Sequence, residues 1–250
     1  MRYVGLDVHK HSIEVCILDD AGTVVKRCKV PCRREQISRF ASIQLRPDDQ
    51  VVLEATTNTW AVVDILEPLV GRVVVSNPLR TKAIAEAKVK TDKIDANVLA
   101  QLLRCDFLPP VWQPDMKTRQ LRKLTSTRAS LSADSTRCKN RIHSALAQAL
   151  IEPPDCGIFS KDGREWLDSV EVPEDERIII NIELALLERI EEQITQLDLY
   201  LAKLAYEREQ IRLLMTLPGV HFAAAQGLLA ALGDISRFRG MRIMQQVTLD

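Results

Sequence analysis

The sequence predicts an α/β protein whose mixed sheet is followed by long helices. Two observations carry this reading: short alternating apolar runs interleave with helix-period patterns over the first hundred residues, and a heptad-like seam occupies residues 180 to 215. "RYVGLDV" and "SIEVCILD" read as a strand pair, "DDAG" as the turn that follows, and "TVVKRCKV" as a third strand, so three antiparallel strands open the fold. "REQISRFASIQL" sets Ile37, Phe40, Ala41 and Leu45 on one helical stripe. "QVVLEAT" is a buried strand, "TWAVVDILEPLV" a helix, and "GRVVVSN" a strand again. The chain then turns helical through "NPLRTKAIAEAKV" and "KTDKIDANVLAQLLR". Strand, strand, strand, helix, strand, helix, strand, helix is the order of a ribonuclease-H-like sheet.

Pro109, Pro110 and Pro114 interrupt the pattern and mark a linker. After them a long stretch without Pro or Gly places Leu121, Leu124, Leu131, Cys138, Ile142 and Ala145 on one side and Lys and Arg elsewhere, a basic amphipathic helix. "EPPDCG" breaks it, and residues 155 to 176 are acidic, with loops or a small helix. Residues 180 to 215 then carry Ile180, Leu187, Ile190, Ile194, Leu197, Leu201, Leu204, Ile211 and Met215 at steps of four and three, with Glu183 and Arg208 as charged seam positions. Such a seam of about five repeats suits a coiled coil between chains or a helix folding back on residues 115 to 150 of its own chain. A "PGV" turn between apolar helices follows, a shape used by helix-hairpin-helix elements and by many ordinary helix pairs. The expected division is an α/β domain at 1–108, a basic helix at 109–150, an acidic linker and coiled-coil helix at 151–212, and the start of a further helical domain at 213–250.

The 250 residues, 46% hydrophobic, are enough for one large domain or two small ones. No charged-then-apolar leader and no bilayer-length apolar run is visible, so the expected location is the cytoplasm, without a membrane partner. The six cysteines are scattered, and only Cys28 and Cys32 are close, without the second pair or histidines of a zinc site. A formal net charge of zero conceals a partition: residues 72–143 carry 15 Lys and Arg against 6 Asp and Glu, and residues 144–250 carry 10 against 18. The basic block is the footprint of a nucleic-acid surface, or the solvated face of a helix.

Asp7 stands inside an apolar run, where Tyr3, Val4, Leu6 and Val8 become its buried neighbours. An unpaired charge there demands a partner or a metal. Glu54 ends the fourth strand, which lies beside the first in a ribonuclease-H-like sheet, so the two carboxylates converge. "KTDKIDA" sets Asp92 and Asp95 three apart, which on a helix places them on one face. Four carboxylates at one pocket suit hard divalent ions, Mg²⁺ or Mn²⁺, and two ions spaced by ~4 Å activate a nucleophile and stabilise the leaving oxygen in phosphoryl transfer. Singly, each acid has a bland reading: Glu54 as a strand-end acid, Asp92 as an N-cap, Asp95 exposed or paired with Lys88. His9 and His11, beside Asp7, are given no role.

"GLDVHK", "LEAT", "KTDKIDA" and "CKNRIHSAL", in this order and at these separations, resemble the insertion-sequence transposases of the IS-one-ten family, which carry a RuvC-like Asp-Glu-Asp-Asp domain and are related to Piv-type DNA invertases. The similarity covers residues 1 to about 148 and resumes with "LMTLPGVHFAAAQGLLAALGDISRF". It implies that Asp7, Glu54, Asp92 and Asp95 hold Mg²⁺ and act in DNA strand exchange. It further implies recognition guided in some members by a structured RNA, and homo-oligomers assembled partly through the coiled coil. In such proteins a serine of a C-terminal domain is the nucleophile, in a Ser-Gly segment beyond a "GLxP"-like stretch. Neither motif precedes "MRIMQQVTLD" here, and Ser236 lies too close to the "PGV" turn, so a copy truncated at the C-terminus and lacking that serine is expected.

Three other readings compete. A RuvC-like metal-dependent nuclease needs only the four carboxylates and an activated water. A sugar-kinase or actin-like ATPase also opens with an Asp and a hairpin, but "VHKHS" supplies none of the glycines of a phosphate turn. A catalytically inactive fragment would grip nucleic acid and oligomerise. For phosphate contacts the candidates are Arg119, Arg122, Lys123, Arg137, Asn140 and Arg141; the same cations could instead pair with the acidic last third of the chain.

Overall fold

Apolar residues alternate along the first strands and run unbroken through the central ones, as expected where a sheet is covered on both faces. The computed structural model describes residues 1–88, 95–206 and 208–238, and the chain divides into two units, Met1–Gln113 and Pro114–Asp250.

In the first unit β1 (Tyr3–Val8), β2 (Ser12–Leu18) and β3 (Val24–Pro31) are followed by α1 (Arg34–Gln44), β4 (Gln50–Glu54), α2 (Thr59–Leu66), β5 (Arg72–Ser76), α3 (Pro78–Lys88) and α4 (Ala96–Arg104). The sheet order is β3-β2-β1-β4-β5. β1 pairs antiparallel with β2 and parallel with β4, β2 pairs antiparallel with β3, and β4 parallel with β5. This is the α/β ribonuclease-H-like arrangement that the element order predicts. One face of the sheet, with Val4, Leu6, Val15, Val51 and Leu53, packs on α1 and α2 through Ile37, Ala41, Val62 and Leu66. The opposite face, with Tyr3, Cys16, Leu18, Val52 and Val74, packs on α4 through Ala96, Leu99, Ala100 and Leu103.

Two devices fix the central strands. Asp49, 0% exposed, receives Arg2 Nε at 2.8 Å and Arg2 Nη2 at 2.6 Å, and accepts the Arg46 N–H at 2.8 Å. These bonds tie the residue that enters β1 to the turn that enters β4 and so help set the β1–β4 register. Gly5 lies under α4: a Cβ there would come within 1.8 Å of the Ala96 carbonyl oxygen. Only glycine lets the first turn of α4 approach the strand so closely.

The second unit is helical: α5 (Met116–Gln148), α6 (Lys161–Ser169), α7 (Glu174–Tyr206), α8 (Glu209–Leu214) and α9 (Phe222–Leu232), then a short 3-10 turn at Ile235–Phe238. Asp115 starts α5 by accepting the Thr118 N–H at 2.7 Å. α7 packs on α5, and the pairs Arg128–Asp198, Lys139–Glu191 and Arg141–Glu183 fall in opposite chain order, so the two helices are antiparallel. Of the two arrangements open to the heptad seam, the fold-back accounts for Ile180, Leu187 and Leu201, each fully buried within the chain. Glu183, a charged seam position, is buried because both its oxygens receive Arg141, at 2.6 and 2.7 Å. The seam is not one helix, as its periodicity suggested: Arg208 adopts an extended conformation at the N-cap of α8. Among the described residues no helix is long and apolar enough to cross a membrane.

Replacing Asp49 by Ala leaves Arg2 without its charge partner, and urea denaturation is expected to show a loss of roughly 3–5 kcal/mol, as for other broken buried pairs. Gly5→Ala is expected to cost about 1–3 kcal/mol by the same measurement, because α4 must move away from β1.

Candidate active site

Strand alternation places the first two acids. Val4, Leu6 and Val8 face α1 and α2, so Tyr3, Gly5 and Asp7 face the other side. On β4, Val51 and Leu53 face α1 and α2, which puts Val52 and Glu54 on the side of Asp7. Gly5 pairs with Val52 and Leu6 with Leu53. The next step of that register brings Asp7 and Glu54 level on neighbouring parallel strands, at their C-terminal ends, where open α/β sheets commonly bind ligands.

Asp95 arrives from above. It is the N-cap of α4, and its Oδ1 accepts the N–H groups of Asn97 and Val98, both at 2.9 Å. The expectation that Asp92 and Asp95 share a helical face is therefore corrected for Asp95, which precedes the helix in an extended conformation. Its position comes from capping and from the contact of Ala96 with Gly5, and its second oxygen takes no part in the capping bonds. Asp92 lies outside the described residues. Asp7 and Asp95 both line a cleft of about 490 Å³.

Glu54 is half-buried, and its Oε1 has no hydrogen-bond partner among the described residues. Its pKa is raised, first by burial and then by the charge of Asp7. A buried carboxylate oxygen with no donor, beside a second carboxylate, fits a cation better than it fits water-free packing. Among the described residues no group of three or more His, Cys, Asp or Glu is gathered closely enough to cage a metal ion. Asp7 is 25% exposed, and its Oδ2 lies 3.2 Å from His9 Nε2.

His9 is thus a contact of Asp7 that the sequence left without a role. The signal was its two-residue offset from Asp7 across the end of β1. Arg27 and Lys29 of β3 also line the cleft. They stand outside the basic block that drew attention to α5, and their signal was strand alternation, which puts "R" and "K" of "KRCK" on one face.

The candidates on α5 divide into groups. Arg122 donates to the Ala230 and Ala231 carbonyl oxygens, at 2.6 and 2.9 Å, at the end of α9. Arg141 is held by Glu183, and Arg137 pairs with Asp134 one turn away. Lys123 and Asn140 are exposed, and Arg119 is partly buried. Much of the basic helix thus meets the acidic last third inside its own unit.

The first unit is defined by its fold and site as a ribonuclease-H-like domain that presents carboxylates at the end of its central parallel strands. A model of the DEDD_Tnp_IS110 family, described as Transposase, matches residues 4–151, and the chain belongs to this transposase family. It is also similar to the transposase for insertion sequence element IS1533 of Leptospira borgpetersenii, with 24% identity over 257 residues that cover 98% of this chain and 73% of that protein. Among solved structures, an inorganic polyphosphate/ATP-glucomannokinase from Arthrobacter sp. strain KM is matched at 19% identity over 37% of this chain and 50% of that one, with a TM-score of 0.27, too low to bear on fold or activity.

The raised pKa of Glu54 has a consequence for stability. A carboxyl that binds its proton more tightly in the native chain than in the unfolded one contributes stability below its unfolded pKa and loses it as pH rises through the folded value. In EDTA, unfolding followed across the range above the ordinary value of 4.5 is expected to show stability falling with pH. Glu54→Gln should flatten that dependence, and Asp7→Asn should reduce it in part.

Proposed function

We propose that the first unit performs metal-dependent cleavage and transfer of DNA strands, as part of an insertion-sequence transposase, with Asp7, Glu54, Asp92 and Asp95 as the ligands of Mg²⁺ or Mn²⁺. The observation that carries the reading is the Oε1 of Glu54, buried without a donor among the described residues and close enough to Asp7, one step beyond the Leu6–Leu53 pairing, to feel its charge. Such an oxygen is costly unless a cation meets it. When bound, the divalent ions would supply charge neutralisation at the scissile phosphate and a lowered pKa for an attacking water or hydroxyl.

The roles of the chain's own groups follow from their supports. Asp7 and Glu54 are held by paired backbone in a sheet, so their spacing is rigid. Asp95 is fixed by its capping bonds and lines the same cleft as Asp7. His9, which lines the same cleft, steadies Asp7 through the contact of its Nε2 with Oδ2. DNA is the partner this reading requires. Membership of the transposase family supports it, and oligomers and a guiding RNA belong to the same proposal through the family resemblance.

Titration calorimetry with Mn²⁺ and Mg²⁺ tests the metal reading. The wild-type chain is expected to bind, and Asp7→Asn and Glu54→Gln are each expected to weaken binding by roughly tenfold or more, in line with the loss of a ligand or its support. A folded wild-type chain that binds neither ion would sink the proposal.

A further inference from the structure

The cleft beside Asp7 does not end at the carboxylates. Cross-strand pairing sets Asp7, Glu14 and Lys29 in one row over β1, β2 and β3, and Gly5, Cys16 and Arg27 in the next. Residues paired in this way project from the same face. α4 covers that face over β1, β4 and the Cys16 to Leu18 part of β2, and the exposed Glu14 of β2 with Arg27 and Lys29 of β3 line the part of the cleft beyond it. At the strand spacing of about 4.8 Å, Lys29 lies on the order of 10 Å from Asp7 along its row, backbone to backbone. The cleft therefore has a carboxylate end and a cationic end.

The cationic end is only partly neutralised. Lys29 Nζ donates to Glu14 Oε1 at 2.8 Å, in a pair whose members are both largely exposed. Exposed pairs of this kind are weak and exchange readily. Arg27 is exposed on β3 and lies against Cys16, whose thiol burial keeps above its ordinary pKa and so uncharged at neutral pH. Two cations thus flank a groove that leads to the proposed metal ligands, an arrangement suited to a chain of phosphates and not to a small neutral ligand.

We propose that Arg27 and Lys29 bind the backbone phosphates of the DNA strand next to the bond on which the Asp7 and Glu54 site acts, with Glu14 competing for Lys29 until DNA arrives. The inference rests on the metal reading only for the position of the scissile bond. The phosphate track itself is set by the strand register and the open face.

Fluorescence anisotropy of a labelled single-stranded DNA oligonucleotide, titrated with the full chain at several salt concentrations, tests this. The double variant R27Q/K29Q is expected to bind on the order of tenfold more weakly, and its log–log salt slope to be shallower by about 1.4, two phosphate contacts at ~0.7 each on a single strand. Glu14→Gln should change binding in the opposite direction, with a several-fold gain in affinity from a Lys29 released to the phosphate. An unchanged affinity and slope in the double variant overturns the track, as does a Glu14→Gln variant that binds no tighter while folding normally. The same losses on an RNA oligonucleotide, with none on DNA, overturn the assignment to DNA. If the wild type binds no metal yet the slopes change as stated, the track stands and the metal reading alone fails. If metal binds and the slopes do not change, the reverse holds.

Discussion

The absence of a side chain at Gly5 governs the geometry of the first unit. It lets α4 settle with the Ala96 carbonyl almost on the backbone of β1. That contact brings the N-terminus of α4, and Asp95 with it, over the same face as Asp7 and Glu54. The apolar body of the helix, from Leu99 to Leu103, then covers Tyr3, Leu18 and Val52 and seals that side of the sheet. One close approach therefore both closes a hydrophobic layer and sets Asp95 on the cleft that Asp7 also lines.

The helical unit uses charge differently. The basic and acidic segments of the sequence meet face to face on α5 and α7, where Arg128, Lys139 and Arg141 find carboxylates. The Arg141–Glu183 pair is bidentate and sits in the apolar seam, with Cys138 alongside. Arg141 holds Glu183 below the ordinary carboxylate range, the direction expected for an acid whose charge is wanted where it is buried. A pair of this type contributes less to stability than to register, because sliding the helices would leave the buried Glu183 carboxylate without its partner. The zero net charge of the chain is thus partly an internal match and not a mere balance of surfaces.

Much of the fold was legible because the sheet imposes period-two alternation and a fixed strand order. Those rules located all five strands, the antiparallel opening and the level of Asp7 with Glu54. Asp95 does line the cleft with Asp7, but its local setting was misread: a spacing of three looks helical, whereas its side chain does the work of a cap that the residue count alone does not reveal. The continuous helix expected over 180 to 215 failed at Arg208, since heptad spacing persists across a break when the next helix resumes in phase. The α5 cations drew attention by their number, but number does not show which of them already have carboxylate or carbonyl partners. Arg27 and Lys29 are only two residues on an exposed strand, and their meaning depends on cross-strand rows that no single run of sequence displays.

Asp95 also bears on how a site can be stiff without being deeply buried. Rotamer freedom is ordinarily lost when a side chain meets its ligand, at a cost of about 0.5–1.5 kcal/mol for each mobile chain. Here the hydrogen bonds from Asn97 and Val98 fix the Asp95 carboxylate when α4 forms. The entropy of that side chain is surrendered during folding, before any ligand is present, so the helix start acts as a jig that holds one wall of the cleft in its working shape.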